Sequence, residues 1–281
     1  MIVFLNGQFV PEAAATVSVS DRGFLYGDGL FETMRVAGGR LVLLDRHLDR
    51  LERGAAFLGI AWPFPRTELA RCAAELVRRN ELSDALLRLT VSRGVGPRGY
   101  SPRGADRPTV VMTAHPFTPA PELLRWRARV ASFRLAAGDA LAAFKTASKL
   151  PQILARAEAE AAGADEALLC DTAGNVIEAA SGNLFWLANG VLHTPPVTAG
   201  VLAGVTRGLV CELAAAAGLP VREAVCRSGE LRRAAGAFVT LSSHGVVELA
   251  AVDGQPLPSA PETRRLWAAH RAATSAAGAA A

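Results

Sequence analysis

At 281 residues, with 51% hydrophobic and 20% charged side chains, the chain can bury a large core as one sizeable domain or two smaller ones, and its many alanines suit packed helices better than disorder. Its 30 basic and 26 acidic residues are scattered, so the formal charge of +4 comes without a basic tail or aromatic-basic stripe, which argues against a nucleic-acid partner. The opening MIVFLNGQFV lacks the basic start and small-residue exit of a secretory leader, and no run reaches the roughly 20 apolar residues needed to cross a bilayer. A cytoplasmic location without membrane contact is the expectation.

Asn6-Gly7 lies between the short apolar runs IVFL and QFV, a strong hairpin signal. LFETMRVAGGRLVLL repeats the arrangement around Gly38-Gly39. From Asp45 the period becomes helical, with Leu48, Leu51 and Ala55 on one face, and a further helix is predicted over 67–79. LLRLTVSRG and TVVMTAHP read as strands on either side of the turn-rich GPRGYSPRGADRP. Residues 1–115 are thus expected to form a small α+β domain. Pro116, Pro119 and Pro121 break the pattern, which makes 116–121 the predicted linker and 122–281 a second, larger domain.

In that second part EALLCD and NVIEAA read as strands joined through Gly174-Asn175, and FWLANGVLHT as a hairpin around Asn189-Gly190. A helix over 206–217 closes at Gly218, and the strand VREAVC, a short helix near 228–234 and the strand AFVTLSS follow. The tail RRLWAAHRAATSAA is helical, with Leu266 and Trp267 serving packing, and its last alanines and glycine are expected to fray. No internal repeat is visible. Cys72, Cys170, Cys211 and Cys226 fall in separate elements without C-x-x-C spacing, which points to buried thiols and no metal site.

The stretch LAAFKTASKLPQILARAEAEAAG carries Lys145 and Lys149. Pro151 is accepted in the first turn of a helix but pushes Leu150 away from helical torsions, so the helix begins near 151 and the lysines are not a helical pair. A lysine beside an apolar segment can lose hydration, which lowers its pKa and frees the amine for Schiff-base chemistry. On the residues alone either lysine fits that role, and so does a snorkelling surface charge. Glu178, in NVIEAASGNLFWL, is placed to hold a proton on the ring nitrogen of pyridoxal phosphate, or is simply a solvated strand residue. Gly204, Val205 and Thr206 open a predicted helix whose free backbone donors and hydroxyl suit a phosphate, unless Thr206 merely caps the helix.

Together the stretches DRGFLYGDGLFETMRV, LDRHLDRLERGAAFLGI, VSRGVGPRGY, FKTASKLPQILARAEAEAAGADEALLCDTAGNVIEAASGNLFWL, VLAGVTRGLV and AFVTLSSHGVVEL resemble the class IV, or fold-type IV, pyridoxal-phosphate aminotransferases over nearly the whole chain. The resemblance implies an α+β fold of two domains, a small N-terminal α+β domain and a larger C-terminal α/β domain, that enclose the cofactor. It also implies a homodimer whose active sites lie near the subunit interface. Lys145 resembles the Schiff-base lysine and Glu178 the partner of the pyridine nitrogen. Arg50, Val205, Thr206 and Ser242 match the positions that hold the phosphate.

The substrate carboxylate needs a donor, and Arg98 with Tyr100 in PRGY is the first candidate, with Arg35 and Arg107 as alternatives. Phe31 and Ser243 complete the expected substrate contacts. Arg98 resembles the carboxylate trap of D-amino-acid transaminases, which commonly carry histidine where this chain has Tyr100. FETMRV and RGVGPRGYS also resemble aminodeoxychorismate lyase, but Thr146, Ala147 and Ser148 replace its usual histidine-leucine-asparagine. Leu241, Ser242 and Ser243 stand where branched-chain aminotransferases have glycine-threonine-alanine. The expectation is transamination between an amino acid, D-amino acids favoured, and a 2-oxo acid such as 2-oxoglutarate or pyruvate, ahead of the lyase, the branched-chain enzyme and a non-catalytic dimer.

Overall fold

In the computed structural model, which describes residues 1–275, Asn6 and Gly7 take φ of 48° and 93°, the pair of positive values that a two-residue turn between right-twisted strands demands. β1 (Ile2–Leu5) therefore folds straight back into β2 (Gln8–Pro11). After α1 (Arg22–Tyr26) come β3 (Gly29–Ala37) and the two-residue β4 (Arg40–Leu41), joined through Gly38 and Gly39, again at positive φ. α2 (Leu44–Leu58) and α3 (Arg66–Arg79) precede the long hairpin partners β5 (Ala85–Ser92) and β6 (Thr109–Pro116).

These strands form a six-stranded antiparallel sheet in the order β2-β1-β6-β5-β3-β4. Alternation along β3 sends Leu30, Met34 and Val36 into a core with Leu48, Leu51 and Ala55 of α2 and Leu69 and Leu76 of α3, while Phe31, Thr33 and Arg35 occupy the other face. Each fully buried leucine there contributes about 1.5–3 kcal/mol of transfer free energy.

The chain forms two compact units, Met1–Pro119 with Phe144–Ser148 and residues 274–275, and Ala120–Ala143 with Lys149–Ala273. The second unit holds β7 (Arg125–Leu135), α4 (Leu150–Ala161), β8 (Glu166–Asp171), β9 (Asn175–Ala179), β10 (Asn183–Ala188) and β11 (Val191–Thr194). It continues with α5 (Val205–Ala216), β12 (Val221–Glu223), β13 (Cys226–Arg227), α6 (Ser228–Leu231), β14 (Gly236–Leu241), β15 (Gly245–Val252), β16 (Gln255–Pro256) and α7 (Pro261–Ala273). Ten of its strands make one mixed sheet, β12-β11-β10-β14-β15-β7-β8-β9-β13, with β16 beside β15. β8 is buried at every residue and lies parallel to β7, as expected of a strand covered on both faces.

The stretch VREAVC is not one strand. Val221–Glu223 pairs parallel to β11 and Cys226–Arg227 pairs antiparallel to β9, so the segment serves opposite ends of the sheet order. β7 and β15 were absent from the expected elements and are central strands. Cys72, Cys170, Cys211 and Cys226 are free thiols, three of them buried, and burial pushes the Cys226 thiol up to about 12. Among the described residues no helix is long and apolar enough to cross a membrane. The predicted fraying of the last alanines falls on 276–281, outside the described residues.

Candidate active site

In the first unit, the segment Phe144–Ser148 pairs with the start of β3. Phe31 donates its backbone N–H to the Lys145 carbonyl at 2.9 Å, Ala147 donates to Gly29 at 2.8 Å, and Leu30 bridges Thr146. This ladder fixes the Lys145 backbone on the edge of a sheet, a more rigid mount than a loop. The Lys145 ammonium lies 4.7 Å from the centroid of the Phe31 ring, and the Arg88 guanidinium lies 3.7 Å from the same centroid. Lys149, by contrast, is the N-cap residue of α4 and belongs to the second unit, with Pro151 in the first turn.

On the opposite face of β3, Glu32 is fully buried. Arg50 donates to it through Nε at 2.8 Å and Nη2 at 2.6 Å, and His47 Nδ1 stands 2.6 Å from its Oε2. Burial alone would raise the Glu32 pKa, but the hydrogen bonds from His47 and Arg50 outweigh it and hold the carboxyl below its ordinary value. Burial pushes His47 down despite the Glu32 carboxylate, and the charges of Arg50 and Lys145 push the same way. Arg50, read from the sequence as a phosphate partner, thus has two of its nitrogens engaged by Glu32.

Arg35 shares a face with Phe31 but lies four residues along the strand, about 13 Å away. Its Nη2 is 3.9 Å from Asp84. Arg98 and Tyr100 occupy the exposed loop between β5 and β6, Tyr100 at 89% exposure, and Arg107 is exposed on the same loop.

In the second unit, Glu178 on β9 is 8% exposed and its Oε2 accepts the Leu202 N–H at 3.1 Å. Three residues on, α5 begins with Val205 and Thr206, both buried, and its first turn has no side-chain cap. The N-terminal amides are therefore left to an acceptor from elsewhere. Asn183 Nδ2 donates to the Leu202 carbonyl at 2.8 Å, and a Cβ on Gly204 would fall 1.9 Å from Asn183 Oδ1. Glycine at 204 is what lets this strand-to-helix turn close on Asn183. Asn183 in turn pairs with Thr240, two residues before Ser242 and three before Ser243 in the half-buried turn after β14. A nearly buried carboxylate and an uncapped helix N-terminus backed by a glycine are groups that fit an anionic, nitrogen-containing aromatic cofactor.

The sequence profile of amino-transferase class IV matches residues 29–252. A Methanocaldococcus jannaschii protein provisionally assigned as a branched-chain-amino-acid aminotransferase is 40% identical over 91% of this chain and 89% of its own length. The D-alanine aminotransferase of Bacillus licheniformis is 32% identical over 92% and 91%. The crystal structure of 4-amino-4-deoxychorismate lyase from Pseudomonas aeruginosa superposes with a TM-score of 0.85 at 34% identity, covering 96% of this chain and 98% of that one. The two-domain α+β architecture is that of fold-type IV pyridoxal-phosphate enzymes. The chain belongs to the class IV aminotransferase family.

Sequence reasoning missed Glu32, His47, Arg88 and Asn183. Glu32 carried a visible signal, a lone acid on the apolar side of an alternating strand, and Arg88 sits at an outward position of LLRLTVS. Asn183 carried none, because its partners are backbone atoms of Leu202 and the missing side chain of Gly204.

Proposed function

We propose that the protein transfers an amino group between an α-amino acid, with D-amino acids as favoured donors, and a 2-oxo acid such as 2-oxoglutarate or pyruvate, using pyridoxal 5′-phosphate. Bound pyridoxal phosphate supplies an aldehyde for the substrate amine and a ring that withdraws electrons from the α carbon. The observation that carries the reading is the mounting of Lys145 on β3, with its ammonium over Phe31 and its backbone held at Phe31 and Gly29.

From that mount Lys145 takes the proton from the substrate α carbon and returns it at the acceptor carbon, acting as general base and then as general acid. Glu178 holds a positive charge at the ring nitrogen, its own orientation set by the Leu202 amide. Val205 and Thr206 present backbone donors to the phosphate, with the Ser242 turn as a further contact. Arg50 adds positive charge that Glu32 orients. Arg98 and Tyr100 take the substrate carboxylate, with Phe31 and Ser243 as further substrate contacts and Arg35 as the alternative arginine. Leu150, Ile153 and Leu154 leave an exposed apolar stripe on α4, which supports a homodimer.

A second reading, an L-branched-chain aminotransferase, is favoured by the 40% identity to the M. jannaschii protein. Parallel assays of D-alanine, D-glutamate, L-leucine, L-glutamate and aminodeoxychorismate decide between them, with keto acid and 4-aminobenzoate measured separately. Faster turnover of D-alanine or D-glutamate is the expected outcome. Preference for L-leucine keeps the reaction and rejects the donor, and rapid 4-aminobenzoate formation without transamination rejects both.

A further inference from the structure

Arg22 opens α1 yet is only 4% exposed, an unusual place for an unmodified surface-helix arginine. Its Nη1 donates to the carbonyls of Gly99 at 2.8 Å and Ser101 at 3.1 Å, and its Nη2 to that of Tyr100 at 3.2 Å. Three consecutive loop carbonyls thus converge on one guanidinium, whose planar fork is suited to such a grip. The Tyr26 ring lies 5.0 Å from the same guanidinium, its hydroxyl accepts the Gly99 N–H at 3.1 Å, and its ring meets that of Tyr100 edge-on at 5.7 Å.

The other end of the Arg22 fork is anchored as well. Its Nε donates to Asp28 Oδ2 at 2.8 Å, and the same oxygen takes Arg93 Nε at 2.8 Å. Arg93 in turn holds the carbonyls of Leu58 and Gly59, both at 2.8 Å, at the C-terminal end of α2. A single carboxylate just before β3 therefore ties the 99–101 loop to the helix that carries Arg50.

We propose that Arg22 is a positioning residue that determines carboxylate specificity, by locking residues 99–101 so that Arg98 and Tyr100 are held in one orientation. The inference rests on the assignment of Arg98 and Tyr100 to the substrate carboxylate. A loop fixed before substrate arrives loses less conformational freedom on binding, so the clamp acts on affinity for carboxylate-bearing donors and not on proton transfer at the α carbon.

The chain has two tyrosines, Tyr26 and Tyr100, which gives a readout independent of activity. Holoenzyme labelled with 3-fluorotyrosine should show two 19F resonances, and Tyr26→Phe assigns them by leaving one. Arg22→Lys keeps the charge beside Asp28 but loses the fork. In it the Tyr100 resonance should sharpen and move toward the position of the free amino acid, while the KM for D-alanine rises about tenfold with kcat changed less than about twofold. Tyr26→Phe, which leaves the buried charges in place, should raise the same KM by a smaller factor. An unmoved, equally broad Tyr100 resonance in Arg22→Lys overturns the clamp. A moved resonance with an unchanged KM overturns its role in specificity. Arg98→Ala separates the two readings: if it too leaves the KM for D-alanine unchanged, the carboxylate assignment itself has failed, whatever the tyrosine signal shows.

Discussion

Arg50 and Glu32 form a two-pronged ion pair, Nε to Oε1 at 2.8 Å and Nη2 to Oε2 at 2.6 Å, in a site where Glu32 has no exposure at all. His47 adds a third contact to the same carboxylate. Such a group is costly to break from one side. Glu32→Ala leaves a buried guanidinium without its counter-charge, and should lower the unfolding free energy by about 3–5 kcal/mol at neutral pH.

The pH dependence follows from the same contacts. The folded-state pKa of Glu32 lies below its ordinary 4.5 and that of His47 below its ordinary 6.5, so the unfolded chain binds more protons than the native chain as the pH falls past each ordinary value. The stability these groups contribute is therefore complete above about 6.5 and lost on acidification, first through His47 and then, below about 4.5, through Glu32. Below about pH 4.5, where Glu32 titrates in the unfolded chain, urea midpoints should fall less steeply with pH in Glu32→Gln than in the parent protein. Parallel curves would show that the Glu32 carboxylate is not the titrating group.

Lys145 is expected to be the residue that carries the cofactor. Borohydride reduction of the holoenzyme followed by peptide mapping should place the pyridoxyl group on Lys145, because the Phe144–Ser148 segment is pinned to Phe31 and Gly29 of β3 while Lys149 sits at the start of α4 in the other unit. Lys145→Ala should lose roughly a thousandfold or more in kcat with phosphate-mediated cofactor binding partly retained. An adduct on Lys149 would sink the assignment.

What the sequence conveyed of this arrangement depends on how local each cause was. The turns at Asn6-Gly7 and Asn189-Gly190 were legible because positive φ is a demand on the turn residues themselves. The helix start near 151 was legible to within a residue through Pro151, but Leu150, expected outside helical torsions, is the first residue of α4 and Pro151 its second. VREAVC was not, since its division between β11 and β9 is decided by partners remote in sequence. The placement of Phe144–Ser148 on β3 is likewise a pairing across more than a hundred residues. Arg22, Asp28 and Arg93 were not singled out in DRGFLYGDG and VSRG, because nothing in a linear pattern distinguishes a buried ion pair from a solvated one. Lys145 and Glu178 were singled out by family resemblance, and their local pattern alone left Lys149 as an equal candidate.

Glu178 should tune the cofactor ring and not merely retain it. Glu178→Gln preserves an oxygen for the Leu202 amide but removes the charge that stabilises a protonated ring nitrogen. Single-turnover deamination of D-alanine should slow by about a hundredfold with secondary structure intact. Unchanged single-turnover rates with the cofactor still bound would reject the role.

The phosphate cradle proposed at the start of α5 offers the most geometric test. Gly204 is the N-cap of α5, and the Cβ of an alanine there would fall 1.9 Å from Asn183 Oδ1, far inside contact distance, so either Asn183 or the start of the helix must move. Moving Asn183 breaks its 2.8 Å bond to the Leu202 carbonyl, and Leu202 is also the residue whose amide orients Glu178. Gly204→Ala should therefore weaken pyridoxal-phosphate affinity by about tenfold to a hundredfold, the equivalent of one or two charge-assisted hydrogen bonds. Asn183→Ala removes the clash partner together with the clamp. In the double variant Gly204→Ala/Asn183→Ala, affinity should be close to that of Asn183→Ala alone, since the methyl then meets only Arg207 Cβ at 3.2 Å, a contact that a small shift relieves. Equilibrium dialysis of the cofactor against all three variants measures this directly. Inorganic phosphate as a competitor shows whether the loss lies at the phosphate end. Additive losses in the double variant would mean that the Gly204 methyl acts on something other than Asn183, and the cradle as described would be wrong.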